Sequence, residues 1–369
     1  MFFGAMKSNF RRTLKSLLYV LSFIFLTTNA AFAVDYTMGY ITGMTTLKFG
    51  ADTAVENGLH NISSVVSGER SLFVGMGGDS VRYDIGSHIN VWGYAVVAGT
   101  AHRQTFEHGE LVLGDFLEYG MAAFESFENP IPTLKDRGYT NYVGAGTMGH
   151  FKASNNMSAE ASVRFGKVKT HYNINDSTPS YYDNTSSLYL ATHLGIGYQL
   201  KLGEGFTIGA FAKQFWTMQV GDSIDNESGD RIEFQNIVSA ITRVGLQASF
   251  PMSDIMGASI RLAYDYESNG KVRATSNGNN IDIPSQIGGT YMAGFGFDIK
   301  PKELPISTSF DVDMATGMRE GAVIGVQFTY NFQPKGAIPA SAGETAPDVE
   351  IPTSADKTKV KPAKPETAE

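Results

Sequence analysis

The chain has 369 residues, 42 % hydrophobic and 12 % aromatic but only 18 % charged, with 40 Gly, no Cys and a formal net charge of −8. The acidic balance excludes a phosphate-binding surface for nucleic acid, and zero Cys excludes disulfides, thiolate metal sites and a Cys nucleophile. A mean hydropathy of −0.12 excludes a bundle of membrane helices; an aromatic, Gly-rich, charge-poor chain without long apolar runs is what a transmembrane β-barrel looks like.

Residues 1–33 read as a signal peptide. Lys7, Arg11, Arg12 and Lys15 form a positive start, Leu17 to Leu26 an apolar run, and Ala31-Phe32-Ala33 a small-x-small cleavage pattern that places the cut after Ala33. The run is too short to span a bilayer, which takes about 20 apolar residues. Export through the general secretory pathway is expected. Residues 34–50 then form a short stub. In 51–66 the spacing becomes helical: Ala51, Val55, Leu59, Ile62 and Val66 share a stripe, and Glu56, Asn57, His60, Asn61 and Ser63 cover the rest. This helix either threads the pore of a barrel or lies on its periplasmic rim.

Residues 67–332 are expected to form the barrel, and from about Ser71 to Phe332 the period is two. Twelve strands are predicted, near 71–83, 88–102, 110–124, 139–153, 157–172, 187–201, 205–219, 231–250, 256–267, 286–300, 305–315 and 318–332. In the last strand Ala322, Ile324, Val326, Phe328, Tyr330 and Phe332 alternate with Gly325, Gln327, Thr329 and Asn331. The polar face holds charges with Gly between them, the reverse of a soluble sandwich and the pattern of a wet lumen inside an apolar skin. The third strand phases poorly, because Asp115 would face lipid, so a bulge or a shifted register is expected there. Tight turns are predicted at Ser154–Asn156, Leu202–Gly205, Pro251–Asp254 and Lys300–Pro305, and long polar loops at 125–138, 173–186, 220–230 and 268–285.

Residues 333–369 hold six Pro, five Lys, six Asp or Glu and no aromatic residue. Such a tail cannot bury a core and reads as a disordered, Pro-rich periplasmic segment, either a plain solvated tail or a spacer that meets peptidoglycan.

The charges on the lumen face are the candidate functional residues: Glu118, Glu160, Arg164, Lys213, Arg243, Arg261 and Asp265. In a narrow pore they must pair across strands or grip a plug, as a structural network or as a gate. No catalytic, metal or cofactor site is expected. Gly78-Asp79-Ser80 and Gly221-Asp222-Ser223 match an esterase nucleophile motif but sit in strand pattern, and the seven His show no HxxxH or HExxH spacing.

Residues 71 to 332 resemble the C-terminal translocator, or β-domain, of autotransporters, the barrels of type V secretion. The similar segments are Gly78–Tyr83 with Gly86-Ser87-His88, Phe116–Gly120, Ala159–Ser162 with Gly166–Thr170, Phe215-Trp216-Thr217 with Gly221-Asp222-Ser223, Gly270–Thr275 and Arg319-Glu320-Gly321 with Phe332. The resemblance implies a single all-β, twelve-stranded antiparallel barrel in the outer membrane of a Gram-negative-type cell. It also implies a helix leading from the pore into the first strand. Phe328, Tyr330 and Phe332 then look like the assembly signal read by the barrel assembly machinery. The other expected partner is outer-membrane lipid and lipopolysaccharide; the barrel is expected to be monomeric and to bind no nucleic acid. The chain departs from the family pattern in having only residues 34 to about 50 where a passenger would lie, and in continuing past Phe332. The expected function is a membrane anchor and translocation pore without a large passenger and without enzymatic activity. The alternatives are a porin-like passive channel and an outer-membrane enzyme barrel.

Overall fold

The computed structural model describes residues 36–59, 70–86, 88–128, 133–174, 181–203, 205–225, 231–276, 279–281, 285–302 and 304–332. The predicted signal peptide with Ala31 and Ala33, residues 60–66 of the predicted helix and the 333–369 tail lie outside them.

Twelve strands close an antiparallel barrel. They are β1 (Arg70–Asp84), β2 (His88–Phe106), β3 (Gly109–Glu128), β4 (Thr133–Ala153), β5 (Met157–Ile174), β6 (Tyr181–Lys201), β7 (Thr207–Gln219), β10 (Ile237–Ser253), β11 (Met256–Asn269), β14 (Gly288–Ile299), β15 (Ile306–Gly317) and β16 (Arg319–Asn331). Each pairs with its neighbours in sequence, and β1 pairs with β16 from Ser71↔Asn331 to Tyr83↔Arg319. Closure leaves no unpaired strand edge, which a lipid surround demands because it offers backbone groups no hydrogen-bond partner.

The period of two sorts the side chains as the sequence predicts. On β6, Leu188, Leu190, Leu194, Ile196, Tyr198 and Leu200 are exposed on the outside, whereas Ser187, Ala191 and His193 are buried inside. On β16, Ile324, Phe328 and Tyr330 face out and Gln327 and Thr329 face in. Asp115 corrects an expectation. The β2–β3–β4 register runs unbroken through Thr100↔Asp115↔Thr147, with no bulge there, and the carboxylate does point outward. Thr100 and Thr147 share that exposed face, so the carboxylate has polar neighbours in an otherwise apolar skin.

The tight turns at Ser154–Asn156, Leu202–Gly205 and Lys300–Pro305 all lie at one end of the barrel. Asn156 has a positive φ of 68°, a conformation that Asn tolerates better than most residues. The predicted turn at Pro251–Asp254 shifts: β10 runs on to Ser253 and the chain turns at Asp254 and Ile255. A register shift between Pro251 and Ser253 accommodates a residue that has no N–H to donate to the ladder. At the other end, most of the 125–138 and 173–186 loops are strand rather than loop, β3 reaching Glu128 and β5 reaching Ile174. Beyond the membrane a hairpin needs only its backbone ladder, so polar side chains do not stop it. The 220–230 and 268–285 loops contain three short strands, β8 (Ser223–Asp225), β12 (Ala274–Ser276) and β13 (Asn279–Ile281), which with β9 (Arg231–Phe234) form a separate sheet in the order β13-β12-β9-β8. Residues 231–234, predicted as the start of a barrel strand, belong to this sheet.

A helix, α1 (Tyr36–Asp52), continues as a wider π-helical stretch over Thr53–Leu59 and lies inside the barrel. The predicted 51–66 helix is therefore displaced: most of the helix occupies the segment read as a stub. The physical reason is enclosure. Tyr40, Ile41, Thr42, Met44, Leu47 and Phe49 are all at most 2 % exposed, so walls surround the helix and no polar–apolar stripe marks it. Its Thr and Gly residues are weak helix formers, which makes the surrounding wall the main source of its stability. The wall's Thr-rich interior is matched by self-satisfied hydroxyls: Thr45 and Thr46 Oγ1 both donate to the Thr42 carbonyl, and Thr53 Oγ1 to that of Phe49.

Candidate functional site

The candidate site is the contact between helix and lumen. Lys48, Asp52 and Glu56 are spaced by four, which sets them on one face of the helix. That face meets a row of cations from the second half of the barrel. Asp52 accepts from Arg243 Nη2 (β10) and Arg319 Nη1 (β16), each at 2.9 Å. Glu56 accepts from Arg243 Nη1 at 2.9 Å and Lys213 Nζ (β7) at 3.2 Å, and also from Arg261 Nη1 (β11). The Gln327 amide (β16) donates to the Glu56 carbonyl at 3.3 Å. Nearer the long-loop end, Lys48 Nζ donates to Gln286 Oε1 at 2.6 Å and lies 2.7 Å from Glu267 Oε2.

Three of the four wall cations also have a wall carboxylate of their own. Arg243 makes a forked pair with Asp265, from Nε at 2.7 Å and Nη2 at 2.8 Å. Arg261 forks onto Asp313, and Lys213 lies 3.0 Å from Glu160. Arg319 is placed differently: beyond Asp52 it has Asp265 only at 3.8 Å and the Met292 sulfur at 3.2 Å. Glycines make the room. Asp313 Oδ1 stands where a Cβ on Gly294 would be, and the Glu160 side chain fills the space beside Gly195. This accounts for the Gly interspersed with charges on the lumen face of the sequence.

On the opposite wall Arg164 (β5) bridges wall and helix, donating to Glu118 Oε2 (β3) at 2.7 Å and to the Leu47 carbonyl at 3.1 Å. Tyr189 holds the other Glu118 oxygen at 2.7 Å. Gly50 passes under the Tyr142 ring, whose hydroxyl occupies the place of a Cβ. His193, only 2 % exposed, packs 4.9 Å from the Phe215 ring, with Nε2 3.2 Å from Glu160.

All seven lumen charges predicted from sequence line the interior, in two groups: Glu118–Arg164, and a larger one in which Glu56 joins Glu160–Lys213, Arg243–Asp265 and Arg261. Sequence reasoning missed Lys48, Asp52, Glu267, Asp313 and Arg319, and gave Glu56 no partner. The four-residue spacing of Lys48, Asp52 and Glu56 was a usable signal. Below Glu56, toward the tight turns, a polar cavity of about 300 Å³ opens, lined among others by Arg103, Glu110, His150 and Lys152. The esterase-like serines are not in a catalytic setting: Gly78-Asp79-Ser80 lies within β1, and Ser223 Oγ in β8 accepts from Arg231. Among the described residues no group of three or more His, Asp or Glu side chains could hold a metal ion.

Comparisons with known proteins agree with this architecture. The translocator domain of the autotransporter NalP from Neisseria meningitidis is 14 % identical, with a TM-score of 0.60 over 82 % of this chain and 100 % of that one. The β-domain of the Bordetella autotransporter BrkA is 13 % identical, with a TM-score of 0.56 over 71 % of this chain and 99 % of that one. The transport unit of AIDA-I from Escherichia coli is 11 % identical, with a TM-score of 0.56 over 77 % and 98 %. At these identities the likeness is one of fold. No curated protein sequence matches the chain. The family described as autotransporter beta-domain matches residues 72–313, which run from β1 into β15 and make up most of the barrel wall. The chain therefore belongs to the autotransporter β-domain family and is an outer-membrane β-barrel of the translocator type.

Proposed function

We propose that the barrel serves as a membrane anchor and translocation pore held in a plugged state, and that the lumen charges are its latch. The observation that carries this reading is the clamp on Asp52 and Glu56: four cations from four strands converge on two helix carboxylates. A helix that merely rested in the lumen would need no such convergence, since burying charges costs several kcal/mol per ion unless each is closely paired. With long loops outside and tight turns in the periplasm, the helix enters from the outer end and leads down toward β1. Export by the general secretory pathway supplies the precursor. Phe328, Tyr330 and Phe332 form the assembly signal for the barrel assembly machinery; Phe328, Tyr330 and Phe332 are all exposed on the outer face, with Tyr330 and Phe332 in edge contact at 5.2 Å. The barrel works as a monomer among lipid and lipopolysaccharide, with peptidoglycan the candidate partner of a tail that is otherwise a plain solvated segment, and it carries out no enzymatic reaction.

Planar-bilayer recording tests the plug. The unaltered protein should show low, intermittent conductance, and deletion of 36–59 should give a steady open channel. A steady open conductance in the unaltered protein would favour the porin-like alternative.

A further inference from the structure

The outer mouth has a closure of its own. The short strands β8, β9 and β12 come from the loops after β7 and β11. Their side chains alternate: Arg231 and Glu233 are exposed, whereas Ile224, Ile232, Phe234 and Ala274 are buried, as is Val272 just before β12. This small sheet thus has a charged upper face, with Arg231 3.4 Å from Glu233 and 3.8 Å from Asp225, and an apolar underside. The underside rests on the first turns of the helix, packing with Tyr40, Ile41 and Met44 in one cluster with wall residues. Tyr40 stacks on Phe234 at 4.2 Å and 16°, and its hydroxyl donates to the Val220 carbonyl at 2.7 Å. The base of the sheet is tied to the wall: Ser186 N donates to Asp222 Oδ2 at 2.6 Å and Phe234 N to the Asp222 carbonyl at 2.8 Å.

We infer that this sheet is an outer lid, latched on Tyr40 of the helix, and that it seals the pore separately from the ionic clamp below. The two seals differ in chemistry, one apolar and aromatic, the other ionic. Tyr40 and Asp52 are twelve residues apart on the helix, about 18 Å at 1.5 Å per residue, so perturbations at the two sites should be nearly additive. The inference rests on the plugged-pore reading in one respect: a lid matters only if the lumen beneath it is a path. The consequence is directional. With the lid shut, Tyr40, Ile41 and Met44 are closed off from the cell surface, while the lower end of the helix already borders a polar cavity of about 300 Å³. Any segment crossing the pore must first break the Tyr40–Phe234 contact.

The absence of native Cys makes the test clean. Met44 is 0 % exposed beneath the lid, so Met44→Cys reports its opening. Intact cells carrying the full chain are treated with a membrane-impermeant maleimide, and heat-modifiable gel mobility confirms that each variant is folded. Met44→Cys alone should label slowly. Adding Phe234→Ala, or Phe234→Leu if the alanine variant does not assemble, should speed labelling by about tenfold or more, as loss of a buried aromatic pair predicts. Conductance should stay at the unaltered level. Equal labelling with and without the Phe234 substitution overturns the lid. Conductance rising in the Phe234 variant to that of a helix-deleted barrel overturns the separation of the two seals. Failure of the plugged-pore reading is distinguishable, because it would show as open conductance in the unaltered protein whatever the labelling rates.

Discussion

Replacing both helix carboxylates, Asp52→Asn with Glu56→Gln, isolates the clamp from packing, because the amides keep shape and volume while removing charge. In the unaltered protein these carboxylates accept from Arg243 twice and from Arg319, Lys213 and Arg261 once each. After substitution Arg243 keeps Asp265, Arg261 keeps Asp313 and Lys213 keeps Glu160. Arg319 is left with the Asp265 oxygen at 3.8 Å as its nearest carboxylate among the described ion pairs. Removing one partner of a buried pair costs about 3–5 kcal/mol, mostly through the charge left behind. Releasing the helix lets water reach Arg319, so that cost falls on the seated state. The ratio of unseated to seated helix should then rise roughly a hundred- to several-thousand-fold. The measurement is the fraction of time open in planar bilayers, on protein shown to be folded by heat-modifiable mobility. An open fraction within about tenfold of the unaltered value would refute the reasoning, since one factor of ten corresponds to only about 1.4 kcal/mol.

Arg164→Ala with Arg243→Ala removes one anchor on each side of the helix and should raise conductance and antibiotic leak; unchanged values would leave the lumen charges as mere internal pairs. Gly50→Ala places a methyl group where the Tyr142 hydroxyl sits, so the helix or the ring must move, and the temperature of heat-modifiable unfolding should fall. An unaltered unfolding temperature would show that helix and ring have room for the methyl group. Asp115→Leu should stabilise the barrel in lipid vesicles by up to about 2 kcal/mol, read from the denaturant midpoint, because a carboxylate on the lipid face is unfavourable. A lower midpoint would argue that Asp115 has a partner at that surface.

The wall was legible in the sequence because lipid and lumen impose opposite demands on alternate residues. Leu188, Leu190, Leu194 and Ile196 on one side of β6, and His193 and Ala191 on the other, are a local record of that contrast. The same reasoning fails for the helix, since an amphipathic stripe arises only where one face differs from the other. Residues such as Tyr40, Thr42, Met44 and Thr46 meet walls on every side and carry no such contrast, while Ala51, Val55 and Leu59 happen to continue a stripe beyond the helix proper. Of the site, seven wall charges were visible as charges in strand phase, whereas Glu267, Asp313 and Arg319 were not singled out. The helix partners Asp52 and Glu56 were not visible, because pairing depends on which segment fills the lumen. The lid was hidden for another reason: strands of three or four residues are too short to establish a period.

The last strand contributes two things at once. It closes the wall by pairing with β1 across 260 residues of sequence, from Ser71 to Asn331, and it brings Arg319 to Asp52. Contacts so distant along the chain form late, because the entropy of closing the intervening loop must be met before they are made. Until β16 arrives, the helix lacks one of its clamps and the wall has an open seam. Full seating of the helix and closure of the wall thus depend on the same strand, so a change that loosens β16 loosens both.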